Sequence, residues 1–286
     1  MRFVAVLACL AATSAAAEVP RVVTDFGPVQ SLVSDVMGDL GEPTALLPAG
    51  SDPHDFQLRP SQADLLAKAD LVFWVGPELI PSLGNPLTSL APDAEIVGLL
   101  QDGGGTIRKF EDGGVDPHGW LDPQNGIAWV GKIAAVLTAT DEANAASYAA
   151  NAARTVADLQ ALDAELTASL APVKDRPFVV YHDALGYFTD HFGLAIAGAI
   201  ELGDASGPSA AQLARIQQIL ADTASICVFP EAGRDPKFIA SLSEGLDLRV
   251  GAAQDIEFVT LEAGRGQYAL LLRTIAAGLA ECLGPR

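Results

Sequence analysis

The chain has 286 residues, half of them hydrophobic, and it carries a formal net charge of −19. This acidic balance argues against nucleic acid as a partner, because binding a phosphate backbone calls for a basic surface. The length exceeds what one ordinary hydrophobic core organises, so it predicts two α/β lobes.

The first 17 residues have the pattern of a secretory signal peptide. Arg2 supplies a positive charge, residues 3–12 are apolar, and residues 15–17 are small enough for a cleavage site. The apolar stretch is too short to cross a bilayer as a stable helix. Cys9 leaves a lipoprotein signal as the alternative, although that would leave an unusually short apolar stretch. We therefore expect a protein that is exported to the periplasm and is not embedded in the membrane.

Short apolar runs alternate with amphipathic segments in the N-terminal half, which is typical of a parallel α/β fold. The run LVFWV at 71–75 is apolar at every position, as strands in buried parallel sheets are. Ser61 is a fair N-cap for the helix that precedes this run. The elements predicted here are strands at 22–26, 71–75 and 96–100 and helices at 28–37 and 61–68. Residues 101–114 are rich in Gly and Asp and predict a surface loop.

A long helix is predicted over residues 141–170, which contain neither Gly nor Pro. A helix of about 30 residues is about 45 Å long and can run the length of two lobes. The other elements predicted in this half are strands at 178–181, 194–200, 226–229 and 248–251 and helices at 124–138, 186–192, 209–222, 236–243 and 267–283. We predict an α/β protein of two lobes, each with a mostly parallel sheet flanked by helices, joined by one long rigid helix. The expected divisions are 1–17 for the signal peptide, 18–139 for the N-terminal lobe, 140–171 for the linking helix and 172–286 for the C-terminal lobe.

Three of the four histidines lie where a strand or turn gives way to a loop. His54 and His118 each follow an Asp-Pro pair, and His182 ends the apolar run at 178–181. A single loop histidine is usually solvated, so the prediction depends on the context that the three share. Ligands of open α/β sheets bind where the strands end and the loops begin. Three neutral imidazoles suit a borderline-soft divalent cation, above all zinc. We predict that His54, His118 and His182 converge on one zinc ion.

The segments around these histidines resemble the zinc-specific substrate-binding proteins of bacterial ABC importers, the ZnuA type. The resemblance includes PHGWLDP around His118 and VVYHDALGYFTDHFGL around His182, and it extends over essentially the whole mature chain. It implies a rigid interdomain helix, zinc held between two lobes, and a membrane permease that takes the ion onward. Many such proteins carry a long histidine-rich tract near residues 101–114, whereas this loop is short and has no histidine.

The resemblance also implies a fourth ligand. Counting back from Gly266, Asp255 falls where related metal-binding proteins have the aspartate of an Asp-Pro-Leu-Gly turn, although this chain has DIEF there. We expect Asp255 to complete the site, with a water molecule as the alternative. Asp183 and Glu231 are candidates for carboxylates that orient a histidine ring. His191 is expected at the surface rather than among the ligands.

Two cysteines, Cys227 and Cys282, lie outside the predicted signal peptide. In an oxidising compartment such a pair is expected to form a disulfide, the alternative being two unrelated buried thiols. The resemblance implies the same bridge, because ZnuA-like proteins often join this strand to the last helix.

Two other classes of function remain open at this stage. Three histidines and a water also describe a hydrolytic zinc site, but the chain has no HExxH, G-x-S-x-G or Gly-rich phosphate motif. A manganese- or iron-binding relative, or an adhesin, is the other class. Hard cations favour carboxylate oxygen, and related manganese binders have a carboxylate where this chain has His182. We therefore predict a monomeric zinc-binding protein that is not an enzyme and delivers Zn²⁺ to an ABC permease.

Overall fold

Two parallel sheets organise the part of the chain that the computed structural model describes. The described residues are 18–54, 56–202, 207–223, 226–235, 237, 239, 242, 246, 248–262 and 264–285. The predicted signal peptide, residues 1–17, lies outside them. Each sheet has four strands, and every pairing is parallel. The predicted α/β fold with two lobes is confirmed.

The N-terminal lobe is built on a sheet with the strand order β2-β1-β3-β4. Its strands are β1 (Val22–Thr24), β2 (Thr44–Ala45), β3 (Leu71–Trp74) and β4 (Glu95–Gly98). Its helices are α1 (Gly27–Met37), α2 (Pro60–Ala67), α3 (Gly84–Leu90) and α4 (Leu99–Asp102). Every residue of the central strands β1 and β3 is buried, because helices cover both faces of a parallel sheet.

Two local predictions in this lobe are wrong. The strand predicted at 96–100 stops at Gly98, and Leu99 and Leu100 begin α4 instead. Both leucines are buried, so their apolar character serves helix packing rather than the sheet. The N-cap of α2 is Arg59 rather than Ser61, because Pro60 takes the first helical position.

The C-terminal lobe is built on a sheet with the strand order β6-β5-β7-β8. Its strands are β5 (Phe178–His182), β6 (Ile196–Glu201), β7 (Cys227–Phe229) and β8 (Arg249–Val250). Its helices include α7 (Gly186–Phe192) and α8 (Ala210–Asp222). Ser209 caps α8 by accepting the Gln212 amide, which agrees with the predicted start of that helix.

The linking helix is α6 (Ala145–Leu170), which follows α5 (Pro123–Thr140). Its 26 residues make it about 39 Å long. It begins at Ala145 rather than at residue 141, because the Asp141 side chain accepts hydrogen bonds from Asn144 and Tyr148 at the corner between the two helices. The prediction of one long helix between the lobes is confirmed.

The final helix, α9 (Gln267–Leu283), belongs to the C-terminal part of the chain but packs on α1 and α6. The Tyr268 amide donates to Ser31 Oγ at 2.9 Å, and the Tyr268 hydroxyl donates to the Trp120 carbonyl at 2.8 Å. One cluster of buried hydrophobic side chains runs from β1 to α9 and includes Phe178 and Phe229 of the second sheet. The two lobes therefore share a core. No helix in the described residues is long and apolar enough to cross a membrane.

A disulfide joins Cys227 on β7 to Cys282 on α9, with 6.2 Å between their Cα atoms. The predicted bridge is thus confirmed. Because α9 packs on α1, the bond ties the second sheet to a helix that is anchored on the first lobe.

Removing this bridge should lower the free energy of unfolding. In the Cys227→Ser/Cys282→Ser variant the expected loss is about 4 kcal/mol, because a loop of 55 residues no longer restricts the unfolded chain. Urea unfolding measures the loss, and the wild-type protein in reductant serves as the matched control. Equal stability of the wild type with and without reductant would contradict the prediction.

Candidate metal centre

Three histidines from separate segments of the chain meet between the two lobes. The His54 ring lies 5.7 Å from that of His118 and 5.8 Å from that of His182, and the last two are 5.0 Å apart. One nitrogen from each ring lies within 4.8 Å of the other two, close enough to bind one ion. His118 and His182 are buried, and the His54 side chain is only 7% exposed. The structure thus brings together the three histidines that the sequence singled out.

Local structure explains how each ring reaches this point. His182 is the last residue of β5, at the carboxyl edge of the second sheet, where ligands of parallel sheets bind. The His54 amide donates to Asp52 Oδ1 at 2.8 Å, and the His118 amide donates to Asp116 Oδ1 at 3.0 Å. The repeated Asp-Pro-His tripeptide therefore forms the same turn twice, with the aspartate accepting the amide of the histidine.

Asp116 also orients the His118 ring. Its Oδ1 lies 2.7 Å from His118 Nδ1, and both side chains are fully buried. A carboxylate at Nδ1 holds the proton on that nitrogen, so Nε2 becomes the atom available for a metal. The other oxygen of Asp116 accepts from Arg108 at 2.9 Å, and Arg108 also donates to Asp190 on α7 at 2.8 Å. The orientation of His118 is therefore linked to both lobes.

Glu257 is a buried carboxylate that lies beside two histidines of this cluster. Its Oε1 is 2.9 Å from His54 Nε2 and 4.0 Å from His182 Nδ1. Burial by itself would raise the pKa of Glu257, but the hydrogen bond to His54 and the charges of the imidazoles hold that pKa below its ordinary value. The charged form of the Glu257 carboxylate is thus stabilised beside the histidines.

Asp255 is the fourth ligand expected from the sequence, but both of its carboxylate oxygens accept hydrogen bonds within its own loop. Its Oδ1 accepts the Val259 amide at 2.6 Å, and its Oδ2 accepts the amide and the hydroxyl of Thr260 at 2.8 and 2.6 Å. Among the described residues, Asp255 is in none of the groups whose ligand atoms lie close enough to share an ion. Its contacts shape the loop rather than face the histidines.

The loop that Asp255 shapes points Glu257 at the histidines. Phe258 has a φ of 64°, and within the described residues no other non-glycine residue has a positive φ. Such strain persists only where surrounding contacts impose it, and it is common at binding sites. The Trp120 indole donates to the Ile256 carbonyl at 3.0 Å, which fastens the loop to the N-terminal lobe. Sequence reasoning missed Glu257, although an acidic residue between Ile256 and Phe258 is a recognisable signal.

The remaining polar residues considered from the sequence, Glu231, Asp183 and His191, lie around the histidine cluster or outside it. Glu231 Oε2 lies 3.6 Å from His182 Nδ1, close to the orienting position suggested by the sequence. Burial raises the pKa of Asp183, whereas the charge of Arg108 opposes this shift. His191 is partly buried rather than exposed, with its two nitrogens 2.6 Å from Asp163 and 3.3 Å from Asp122. It joins α7 to the two long helices and lies outside the histidine cluster.

The fold and this cluster define a two-lobed protein with a metal-binding cleft. The three imidazoles can offer nitrogen atoms to one ion, and Glu257 Oε1 lies beside one of them. Nitrogen donors with a carboxylate nearby are the kind of ligands that zinc prefers.

Comparison with known proteins identifies the family. A family profile described as "ZnuA: Zinc-uptake complex component A periplasmic" matches residues 22–282. The chain is 47% identical to the high-affinity zinc uptake system protein ZnuA of Paracoccus denitrificans (strain Pd 1222), and the alignment covers 96% of this chain and 95% of that protein. It is 31% identical to the protein of the same name from Brucella abortus (strain 2308), over 98% of this chain and 96% of that protein. The chain belongs to the ZnuA family of substrate-binding components of zinc uptake systems.

A solved structure supports the fold. The crystal structure of a ZnuA protein superposes with a TM-score of 0.82 at 24% identity, over 93% of this chain and all of that chain. At this identity the likeness establishes the architecture of two lobes joined by a long helix.

Disrupting the bond between Asp116 and His118 should weaken zinc binding. In Asp116→Asn the amide no longer stabilises the ring in the required orientation, so we expect a loss of about 10- to 100-fold in affinity. Competition with a chelator measures the loss. Asp190→Asn is the matched control, because it removes the other partner of Arg108 and leaves the Asp116–His118 bond in place. Equal losses in the two variants would show that the ion pairs between the lobes matter, rather than the orientation of His118.

Proposed function

We propose that this protein is a periplasmic zinc-capture protein that binds one Zn²⁺ between its lobes and delivers the ion to an ABC permease. The observation that carries the proposal is the convergence of His54, His118 and His182 beside Glu257. Membership of the ZnuA family supports the same cargo and the delivery step. The protein reaches the periplasm through the signal peptide at residues 1–17, acts as a monomer, and makes or breaks no bond in its cargo.

The proposed ligands are His54, His118, His182 and Glu257. The geometry that supports this set is the position of Glu257 Oε1 between His54 and His182. One carboxylate compensates half of the charge of the dication, and three neutral nitrogens satisfy its preference for softer donors. Asp255 has the separate role of holding the loop that presents Glu257, which its hydrogen bonds to Val259 and Thr260 support.

Capture and release follow from the division of these ligands between the lobes. His54 and His118 precede the linking helix, whereas His182 and Glu257 follow it. A small separation of the lobes would lengthen several metal–ligand bonds at once, so docking on the permease needs only a limited motion to free the ion. The proposed boundaries of 18–139, 140–171 and 172–286 place the ligands in this way, although α9 packs back on the first lobe.

Loading with zinc tests the proposed function directly. Calorimetry combined with native mass spectrometry should find one tightly bound Zn²⁺ per chain. The affinity should fall as the pH drops below about 6.5, because ligand imidazoles must be neutral to bind a metal. His182→Ala should lose tight binding, whereas His191→Gln is the matched control outside the cluster and should keep it. Two tight sites, or wild-type affinity in His182→Ala, would contradict the proposal.

The identity of the fourth ligand can be tested with cobalt, whose absorption spectrum depends on its ligands. Glu257→Ala should change the spectrum of the Co²⁺-loaded protein. It should also lower the affinity for zinc by more than the 10- to 100-fold that loss of a residue supporting a ligand causes. Asp255→Ala should lower the thermal stability of the loop and change the spectrum less than Glu257→Ala does, because the Asp255 carboxylate holds the loop and is not itself a ligand. A larger spectral change in Asp255→Ala than in Glu257→Ala would restore Asp255 as the ligand.

A further inference from the structure

Arg234 lies among the carboxylates that surround the histidine cluster. Its Nη2 is 3.1 Å from Asp52 Oδ2 in the N-terminal lobe, and its Nε is 3.2 Å from Glu231 Oε1 in the C-terminal lobe. The same Nη2 is 4.0 Å from Glu257 Oε2. Only about a quarter of the arginine side chain is exposed, and both glutamates are buried. The Arg234 guanidinium thus lies within 4.0 Å of three carboxylates, which come from both lobes.

Each of these carboxylates is also close to a histidine of the proposed site. Asp52, His54 and Glu257 have ligand atoms within 4.8 Å of one another, and so do His182, Glu231 and Glu257. Glu231 uses Oε1 for Arg234, while its Oε2 lies 3.6 Å from His182 Nδ1. Asp52 and Glu231 therefore each have a carboxylate oxygen near groups of the proposed site, and Arg234 engages one oxygen of each.

The number of oxygens that reach the ion decides which metal the site prefers. Zinc favours four ligands with nitrogen among them, whereas manganese and calcium favour six or more ligands that are mostly oxygen. A planar guanidinium is always charged and has donors in a fixed fork, so it can hold two carboxylates in defined positions. Arg234 has the geometry to keep two potential oxygen ligands away from the ion.

We propose that Arg234 sets the metal selectivity of the cleft by engaging Asp52 and Glu231, so that Glu257 alone contributes oxygen to the ion. This inference rests on the proposed function, because it assumes that the histidine cluster binds zinc. It assigns Asp52 and Glu231 the role of restrained carboxylates. Arg234 acts on the ion through these residues and is therefore a positioning residue.

A purely structural role of Arg234 predicts a different outcome. The pair between Arg234 and Asp52 also joins the lobes, since Asp52 belongs to the first lobe and Arg234 to the second. If the arginine only held the lobes together, its loss would lower the affinity for every metal by a similar factor. The ratio of zinc to manganese affinity separates the two roles, because only the release of oxygen ligands shifts that ratio.

The experiment compares Zn²⁺ and Mn²⁺ affinities of the full mature chain by chelator competition in one buffer. In Arg234→Gln the ratio of zinc to manganese affinity should fall at least about tenfold, with manganese binding gained. Adding Asp52→Asn and Glu231→Gln to this variant should return the ratio towards the wild-type value. Arg273→Gln is the matched control, because Arg273 pairs with Glu165 on the exposed side of α9 and α6.

An unchanged ratio in Arg234→Gln would overturn the inference, even if both affinities fell. If that variant does not fold, Arg234→Lys provides the test, because a single ammonium lacks the fork that holds two carboxylates. The lysine variant should show a smaller fall in the ratio, and an unchanged ratio there would likewise overturn the inference. Absence of zinc binding in the wild-type protein would instead refute the proposed function.

Discussion

Buried charge at the boundary between two lobes is the constraint on which this structure depends. Asp116 and His118 are fully buried, and Glu231 and Glu257 are nearly so. A charged group removed from water is stable only with a partner of opposite charge and with its hydrogen bonds satisfied. Here the partners come from both lobes, so the groups that build the site also determine how the lobes meet.

Two arginines supply much of the positive charge that these carboxylates require. Arg108 of the N-terminal lobe joins Asp116 to Asp190 of the other lobe, and Arg234 of the C-terminal lobe joins Glu231 to Asp52. Each arginine therefore crosses between the lobes next to a histidine of the cluster. A cation that arrives in the cleft meets carboxylates that are already paired, which limits how many of them it can take as ligands.

Apolar packing also holds the two lobes together. The linking helix α6 and the last helix α9 pack together, and α9 also packs on α1 of the first lobe. The disulfide from Cys282 to β7 extends this contact to the second sheet. A core that continues through both lobes resists large hinge motion, because opening it would expose apolar surface to water. The shared core and the disulfide therefore hold the two sides of the cleft in a defined arrangement.

The loop from Asp255 to Thr260 shows how the direction of one carboxylate can depend on the hydrogen bonds of another. Asp255 accepts three hydrogen bonds from Val259 and Thr260, and these contacts impose the unusual backbone of Phe258. That conformation points Glu257 towards His54. The position of the loop was foreseeable, but which of its two carboxylates faces the cleft depends on the direction of the backbone at each residue.

Much of the architecture was determined by local sequence. The strand β3 and the helices α7 and α9 lie where the hydrophobic periodicity predicts them, because each pattern is contained within one element. The histidines were recognisable for a similar reason. His54 and His118 each follow an Asp-Pro pair that forms a turn, and His182 ends an apolar strand, so the signal lies within a few residues.

What only the tertiary structure decided was the choice among the carboxylates. Asp52 and Arg234 are far apart in sequence, and so are His54 and Glu257, yet each pair is in contact. Local preferences act over a few residues and carry no information about which distant side chain will share a buried position. Burial then selects the partners, because an unpaired charge in the cleft would cost several kcal/mol. The sequence therefore determined which histidines come together, whereas the packing of the two lobes decided which carboxylates lie beside them and which are paired with arginine.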